Sequence, residues 1–289
     1  MTKTAIKFRP GQLPPAPSLQ PTYLLGHGSH ELARLARQAR RLEPFTREVL
    51  LRAGLRPGMR VLDVGCGVGD VSLLAAEIVG PTGTVLGVDR SEEALWTARR
   101  RAIQDGRRNV TFAKAGLNDV VVHPPVDAVI GRLVLMYQRD PLASLESLRA
   151  NVKRGGLMIF HEGDLLAGLE SFPPCPLFDR TASWVRESFE RAGHDLRMGL
   201  RLPHLLSRVG LQGVRAHWAS LMEVGDVRSA CEWLADAASS VTEGMLRVGL
   251  HAPAELTRPE LVERLERELA TAQAGVTWPS MVGAWGTKP

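Results

Sequence analysis

The stretch Val61-Leu62-Asp63-Val64-Gly65-Cys66-Gly67-Val68-Gly69-Asp70 decides the fold of this chain. It reads as a short buried strand, a glycine-dense turn, and a helix opening at Asp70-Val71-Ser72-Leu73-Leu74-Ala75-Ala76. Glycines at 65, 67 and 69 permit tight backbone angles and let a ligand reach the main chain without meeting a Cβ. The helix that follows aims its free N–H groups at whatever occupies the turn. Gly83-Thr84-Val85-Leu86-Gly87-Val88-Asp89 reads as a second strand ending in an acid. Such an acid holds a ribose-bearing ligand at the carboxyl ends of a parallel sheet.

On either side of this turn, residues 60 to about 163 alternate strand and helix. Strands are expected at 61–64, 84–89, 110–113, 128–130 and 157–161, and helices at 71–79, 92–105 and 142–152. Near-continuous apolar strands spaced by helices mean a parallel sheet covered on both faces, an α/β fold. Before the sheet, Ser29 reads as the N-cap of a helix through Ala36, and a second helix covers 45–53, closed by Gly54. Beyond residue 164 the alternation stops at Phe172-Pro173-Pro174-Cys175-Pro176. Helices follow at 181–192 and 203–209, a strand at 213–224, helices at 227–250 and 259–271, and a returning strand at 276–285.

Composition sets the outer bounds. The chain has 289 residues, 44% hydrophobic and 23% charged, with a net charge of +5. A chain of this length buries roughly 75% of its unfolded surface and needs no staples. Cys66, Cys175 and Cys231 are widely spaced with no CxxC pair, which excludes a disulfide framework or zinc knuckle and suits a cytoplasmic protein. No apolar run approaches the ~20 residues of a membrane span. Residues 1–21 carry Pro10, Pro14, Pro15, Pro17 and Pro21 and read as a loose leader, not a signal peptide. Arg99-Arg100-Arg101 with Arg107-Arg108 is a basic cluster at the end of an expected helix, where cations are favourable without any partner.

The turn does not suit every nucleotide. A phosphate loop ends in Gly-Lys-Ser/Thr, whereas this one continues Gly69-Asp70-Val71. A dinucleotide fingerprint needs Gly-x-Gly-x-x-Gly, and here the third glycine arrives one residue early. Asp63 would repel a phosphate but attract an ammonium or sulfonium.

Residues 59–163 resemble the class I S-adenosylmethionine-dependent methyltransferases, near the ubiquinone/menaquinone-biosynthesis branch of small-molecule enzymes. Asp63-Val64-Gly65-Cys66-Gly67-Val68-Gly69 matches the family's first motif and Gly87-Val88-Asp89 its second, where the acid accepts the ribose hydroxyls. The resemblance implies a Rossmann-like, seven-stranded, mostly parallel sheet whose last strand is antiparallel, with N-terminal and inserted helical lids. The expected divisions are a leader at 1–21, an N-terminal helical cap at 22–56, a cofactor-binding core at 57–225, a lid insertion at 226–272 and a final strand at 273–289. It also implies S-adenosylmethionine contacts at Tyr23, Asp63, Gly65, Cys66, Gly67, Gly69, Asp89, Arg90, Gly116, Leu117, Asn118, Arg132 and Leu133. Many relatives carry an acid for the adenine amino group where this chain has Gly116, so the Gly116–Leu117 backbone or the Asn118 side chain would take its place.

Methyl transfer is an in-line displacement in which the protein orients the partners and excludes water. Candidate catalytic groups past strands four and five are Tyr137, His161 and Glu162. His161 suits a base for a phenol or carboxyl-like oxygen; the alternative is a hydrogen-bonded histidine with no chemical role. Strand four ends without the acid a Mg²⁺-dependent transfer requires, so no metal is expected. The expected acceptor is a small apolar or aromatic metabolite of the quinone or secondary-metabolite kind, methylated at O, N or C. Trp184, Trp218 and Trp233 are expected in the covering part. The sequence allows a homo-oligomer. The rival readings are an RNA methyltransferase using the arginine-rich surface and an inactive cofactor-binding scaffold.

Overall fold

A computed structural model describes residues 4–6, 29–246 and 257–289, with side chains described from residue 39 to 241 and from 257 onward. In chain order the strands are β1 (Thr4–Ile6), β2 (Arg60–Val64), β3 (Thr84–Asp89), β4 (Val110–Lys114), β5 (Val120–Val122), β6 (Val126–Arg132), β7 (Val152–Asp164), β8 (Ser171–Phe172), β9 (Gln212–Ala219), β10 (Met222–Glu223), β11 (Gly275–Thr277) and β12 (Ser280–Thr287). The helices are α1 (Ser29–Ala53), α2 (Asp70–Val79), α3 (Glu92–Gln104), α4 (Pro141–Arg149), α5 (Pro176–Arg191), α6 (Met198–Arg208), α7 (Arg228–Leu246) and α8 (Arg258–Ala272).

Seven strands form the main sheet in the order β4-β3-β2-β6-β7-β12-β9. Neighbours from β4 to β7 pair in parallel, and β12 runs antiparallel to both β7 and β9. The doubly covered, mostly parallel sheet expected from the apolar strands is therefore present. Helices α1 and α2 cover one face, over Val61, Val85, Ile130 and Ile159, while α4 and α6 cover the other, over Leu62, Leu86, Val129 and Phe160. Those alternating residues explain why the strands read as continuous apolar runs.

Four expectations are corrected. Residues 29–53 form one helix, not two. Pro44 lies on its exposed face while Ala39, Thr46, Val49, Leu50 and Ala53 continue one buried stripe past it, so packing outweighs the hydrogen bond that proline removes. The leader is not wholly loose, because Thr4–Ile6 pairs in parallel with Val120–Val122. The expected strand at 213–224 breaks: β9 stays in the main sheet and β10 joins a small antiparallel sheet, β10-β11-β8. Trp218 sits half-exposed on β9, outside the covering part.

A second core lies over the carboxyl edge of the sheet. It joins α5, α7 and α8 through Phe178, Val185, Cys231, Leu234, Leu265 and Leu269, with Trp184 and Trp278 at its margin and Trp233 packed against it. Each large side chain so buried contributes about 1.5–3 kcal/mol. Thus α5, which precedes the 226–272 segment by many residues, packs with it. Arg41 ties α1 to this cap: its Nη2 lies 2.6 Å from Glu223 Oε1, and its guanidinium stands 5.4 Å from the Trp278 ring centre.

Candidate functional site

Strand β2 delivers Asp63 beneath the glycine turn. The residue is almost fully buried, and Ser72 Oγ on α2 donates a 2.5 Å hydrogen bond to its Oδ2. Burial pushes the Asp63 carboxyl up to about 7, against the pull of the Ser72 hydroxyl and the Arg132 guanidinium. Gly65, Gly67 and Gly69 all have positive φ, at 65°, 51° and 87°. A Cβ on Gly65 would fall 2.5 Å from Val134 Cγ2, and one on Gly69 would fall 3.0 Å from Ala98 Cβ and 3.1 Å from Phe112 Cζ. Among the described residues a Cβ on Gly67 would meet nothing within 4 Å. The outer glycines are thus required by packing and the middle one borders open space. Cys66 is buried beside Asp63 and Asp89, and burial raises its thiol well above the usual range, as expected of an inert filler.

Asp89, at the end of β3, fastens the turn from the side. Its Oδ2 accepts from Gly67 N at 2.8 Å and its Oδ1 from Ser91 N at 2.9 Å. A carboxylate has about four acceptor positions, so two remain for hydroxyl donors. Arg90 is exposed and leans over the next strand's turn: a Cβ on Gly116 would lie 3.1 Å from Arg90 Nε and 2.8 Å from Asp119 Oδ2. Asp119, which sequence reasoning passed over, thereby brings a carboxylate to the place where relatives were expected to carry one. Leu117 has its side chain in the main core, so only its backbone is open to a ligand, while Asn118 is exposed and its carbonyl accepts from Ser147 Oγ.

The opposite wall is built on β6 and β7. Arg132 pairs in register with His161, and its charge is favoured by Asp70, Asp63 and Glu43 although burial lowers its pKa. Leu133, just beyond, is a non-glycine residue at φ 52°, held there by the bond from its N–H to His161 O at 2.8 Å; strain of this kind collects at binding sites. His161 is buried; burial first, and then Arg132, depress its pKa well below the ordinary histidine value, so the ring is neutral. Its Nδ1 lies 3.1 Å from Thr46 Oγ1 and its ring meets Phe45 edge-on at 4.8 Å, both residues reaching in from α1. Arg132 Nη1 donates to the same Thr46 hydroxyl at 3.2 Å.

Glu162 faces the other way, as strand alternation demands. Its Oε1 accepts from Val134 N at 2.9 Å and Leu135 N at 2.8 Å, and burial pushes its carboxyl up to about 7. It therefore holds the turn that carries Val134 against Gly65 and leads to Tyr137. Tyr137 is half-buried, edge-on to His194 at 5.0 Å, and His194 in turn packs on Phe189. The sheet edge thus brings together Asp63, the three glycines and Asp89, with Arg132 and His161 on the opposite wall and Glu162 and the turn leading to Tyr137 on the other layer. Tyr23 lies outside the described residues. Thr46 and His194 had no motif to announce them.

This donor set fits a nucleoside with a cationic centre. Asp63 carries a buried carboxylate with room for a second donor, Asp89 keeps acceptor positions at a strand end, and Gly67 leaves its face clear. Among the described residues no group of three His, Cys, Asp or Glu is placed to hold a metal, and no helix is long and apolar enough to cross a membrane.

Comparison with known proteins agrees with this geometry. Residues 55–193 match the family described as methyltransferase domain. The demethylmenaquinone methyltransferase of Symbiobacterium thermophilum is 37% identical over 112 residues, 37% of this chain and 45% of that protein. The nocamycin O-methyltransferase of Saccharothrix syringae is 43% identical over 113 residues, 34% of this chain and 40% of that protein. The chain thus spans less than half the length of these curated relatives. Among solved structures, the YcgJ protein of Bacillus subtilis superposes with a TM-score of 0.52 at 16% identity, covering 84% of this chain and 98% of that one. A phosphoethanolamine N-methyltransferase of Haemonchus contortus, solved with S-adenosyl-L-methionine, does so at 0.51 and 19%, covering 85% and 52%. The [4+2]-cyclase SpnF matches at 0.51 and 18%, covering 85% and 81%, so the fold by itself does not fix the reaction. Residues 55–193 thus match a methyltransferase domain over just under half of the chain, and the strand order, the glycine turn and the two flanking acids agree with a class I S-adenosylmethionine-dependent methyltransferase.

Proposed function

We propose that this protein is a cytoplasmic enzyme that transfers a methyl group from S-adenosylmethionine to an O, N or C nucleophile of a small apolar or aromatic metabolite. The observation that carries the reading is the pair of acids around a clear glycine face: Asp63 buried below Gly67 and Asp89 bonded to its N–H. S-adenosylmethionine, when bound, supplies an electrophilic methyl group on a sulfonium. Asp63 would face the positive end of that cofactor, Arg132 its carboxylate, Asp89 its ribose hydroxyls, and Arg90 with the 116–118 backbone its base. His161 is the proposed proton acceptor and Tyr137 lines the acceptor side, while Glu162 keeps their turn in place. The proposed acceptor lies under the α5–α7–α8 cap, whose apolar core favours an aromatic or hydrocarbon-bearing molecule. Relatives named for nocamycin and demethylmenaquinone support a small-molecule acceptor.

The RNA reading draws less support. Within the basic cluster Arg99 pairs with Glu92, Arg101 with Asp70 and Arg107 with Glu77, so these cations are already engaged. Calorimetric titration with S-adenosylhomocysteine tests the proposal, followed by a screen of phenolic and quinone-like acceptors for labelled methyl transfer. Asp89→Ala is expected to weaken the binding by about 1–3 kcal/mol, the value of hydrogen bonds to a charged acceptor. Absence of binding by the wild-type protein would overturn the reading.

A further inference from the structure

Thr46 belongs to no motif, yet its hydroxyl stands where α1, β6 and β7 converge. It is buried, and three groups share its oxygen: Leu42 O at 2.8 Å, Arg132 Nη1 at 3.2 Å and His161 Nδ1 at 3.1 Å. A hydroxyl has one proton to give and two lone pairs to receive with. The guanidinium can only donate, so it takes one lone pair. If the hydroxyl proton goes to Leu42 O, the second lone pair is left for a proton on His161 Nδ1, and all three contacts are made. If the proton goes instead to His161 Nδ1, the Leu42 bond is lost and His161 Nε2 carries a proton in a place where it has no partner. Buried donors without a partner are costly. His161 Nε2 is indeed without a partner among the described residues.

We infer that Thr46 is a positioning residue that holds neutral His161 in the Nδ1–H tautomer, leaving the Nε2 lone pair as the proton acceptor, and that the same hydroxyl steadies Arg132. The inference rests on the proposed role of His161. It adds an orienting group of the kind that prepares a histidine base in other enzymes, supplied here by a neutral hydroxyl instead of a carboxylate. A carboxylate would favour the imidazolium; a hydroxyl keeps the ring neutral. The nearby Arg132 charge acts in the same direction.

The test is nitrogen NMR of the full chain labelled at histidine, on wild type, Thr46→Val and Thr46→Ser, together with calorimetry using S-adenosylhomocysteine. In the wild type the His161 ring is expected to show a protonated Nδ1 and an unprotonated Nε2. Thr46→Val, which keeps the shape and removes the hydroxyl, is expected to transfer population to the Nε2–H form. It should also weaken S-adenosylhomocysteine by about three- to tenfold through Arg132, the scale of one ordinary hydrogen bond. Thr46→Ser is expected to restore both. A residue that merely fills space would not move the tautomer. A wild-type ring protonated at Nε2, an unchanged ring in Thr46→Val, or a failure of Thr46→Ser to restore it would each overturn the inference. The wild-type spectrum and the serine variant decide the matter even if the valine variant does not fold. Failure of the wild type to bind S-adenosylhomocysteine would defeat the proposed function but leave the tautomer measurement readable.

Discussion

Replacing Glu162 separates an anchoring carboxyl from a chemical one. Glu162 is completely buried and its Oε1 accepts from two backbone N–H groups, those of Val134 and Leu135. Glu162→Ala orphans both donors, at about 1–3 kcal/mol each, for a total of about 2–6 kcal/mol. That is a large part of the ~5–15 kcal/mol stability of an ordinary domain. The effect must depend on pH. Burial raises this carboxyl from 4.5 to about 7, so between those values the native state binds the proton that the unfolded state has released. Wild-type stability from this group is full below pH 4.5 and falls as pH rises to about 7, by about 3 kcal/mol in all. Neither Glu162→Ala nor Glu162→Gln has this loss. The gap between wild type and Glu162→Ala is therefore expected to be widest at the acid end, below pH 4.5, and to shrink by about 3 kcal/mol by pH 8. Glu162→Gln keeps the acceptor oxygen and is expected to stay within about 2 kcal/mol of wild type, gaining on it as pH rises. Urea unfolding followed by tryptophan fluorescence at three pH values measures all of this. A constant gap from pH 5 to 8, or Glu162→Gln as damaging as Glu162→Ala, would refute the reasoning.

Two further outcomes follow from the donor side. Asp63 sits near its midpoint at neutral pH when the site is empty, because burial holds it at about 7. A cationic ligand favours the ionised form, so affinity for S-adenosylmethionine should climb as pH rises towards 7 and then level, with proton release visible as buffer-dependent binding heat; Asp63→Asn should flatten the profile. Gly67→Ala should cost the fold only about 1–2 kcal/mol of left-handed strain yet abolish S-adenosylhomocysteine binding, whereas Gly69→Ala should also lower thermal stability through its contacts with Ala98 and Phe112; equal affinity for wild type and Gly67→Ala would show that the ligand does not use that face.

The donor half of the site was legible because its parts are local in sequence. Asp63 to Gly69 is one strand–turn unit, and Asp89 ends the adjacent strand in the same register pattern. The other half was not, because it is assembled by packing across long separations. Thr46 meets Arg132 and His161 from 86 and 115 residues away, and nothing about a threonine inside a helix announces such partners. His161 and Glu162 are adjacent in sequence and face opposite layers, so the acid is committed to backbone amides while the imidazole keeps one nitrogen without a partner among the described residues. Two helices were expected where α1 is one, because local propensity cannot register the buried stripe that continues past Pro44. The proline-rich run at 172–176 read only as the place where the alternation stops, although α5, which begins at its end, is part of the cap core.

Strand β12 places residues 280–287 inside the sheet, between β7 and β9, and Lys288 ties the next step by accepting from Gly155 N and donating from its Nζ to Arg149 O and Val152 O. Both neighbours are therefore synthesised well before the strand that joins them. On the ribosome, β2 to β7 can pair as they emerge, but β7 and β9 must wait with unpaired edges until residue 287 has cleared the exit tunnel. Such waiting edges are where a nascent chain is open to wrong partners. The sheet is thus sealed only after both of its waiting edges have been made.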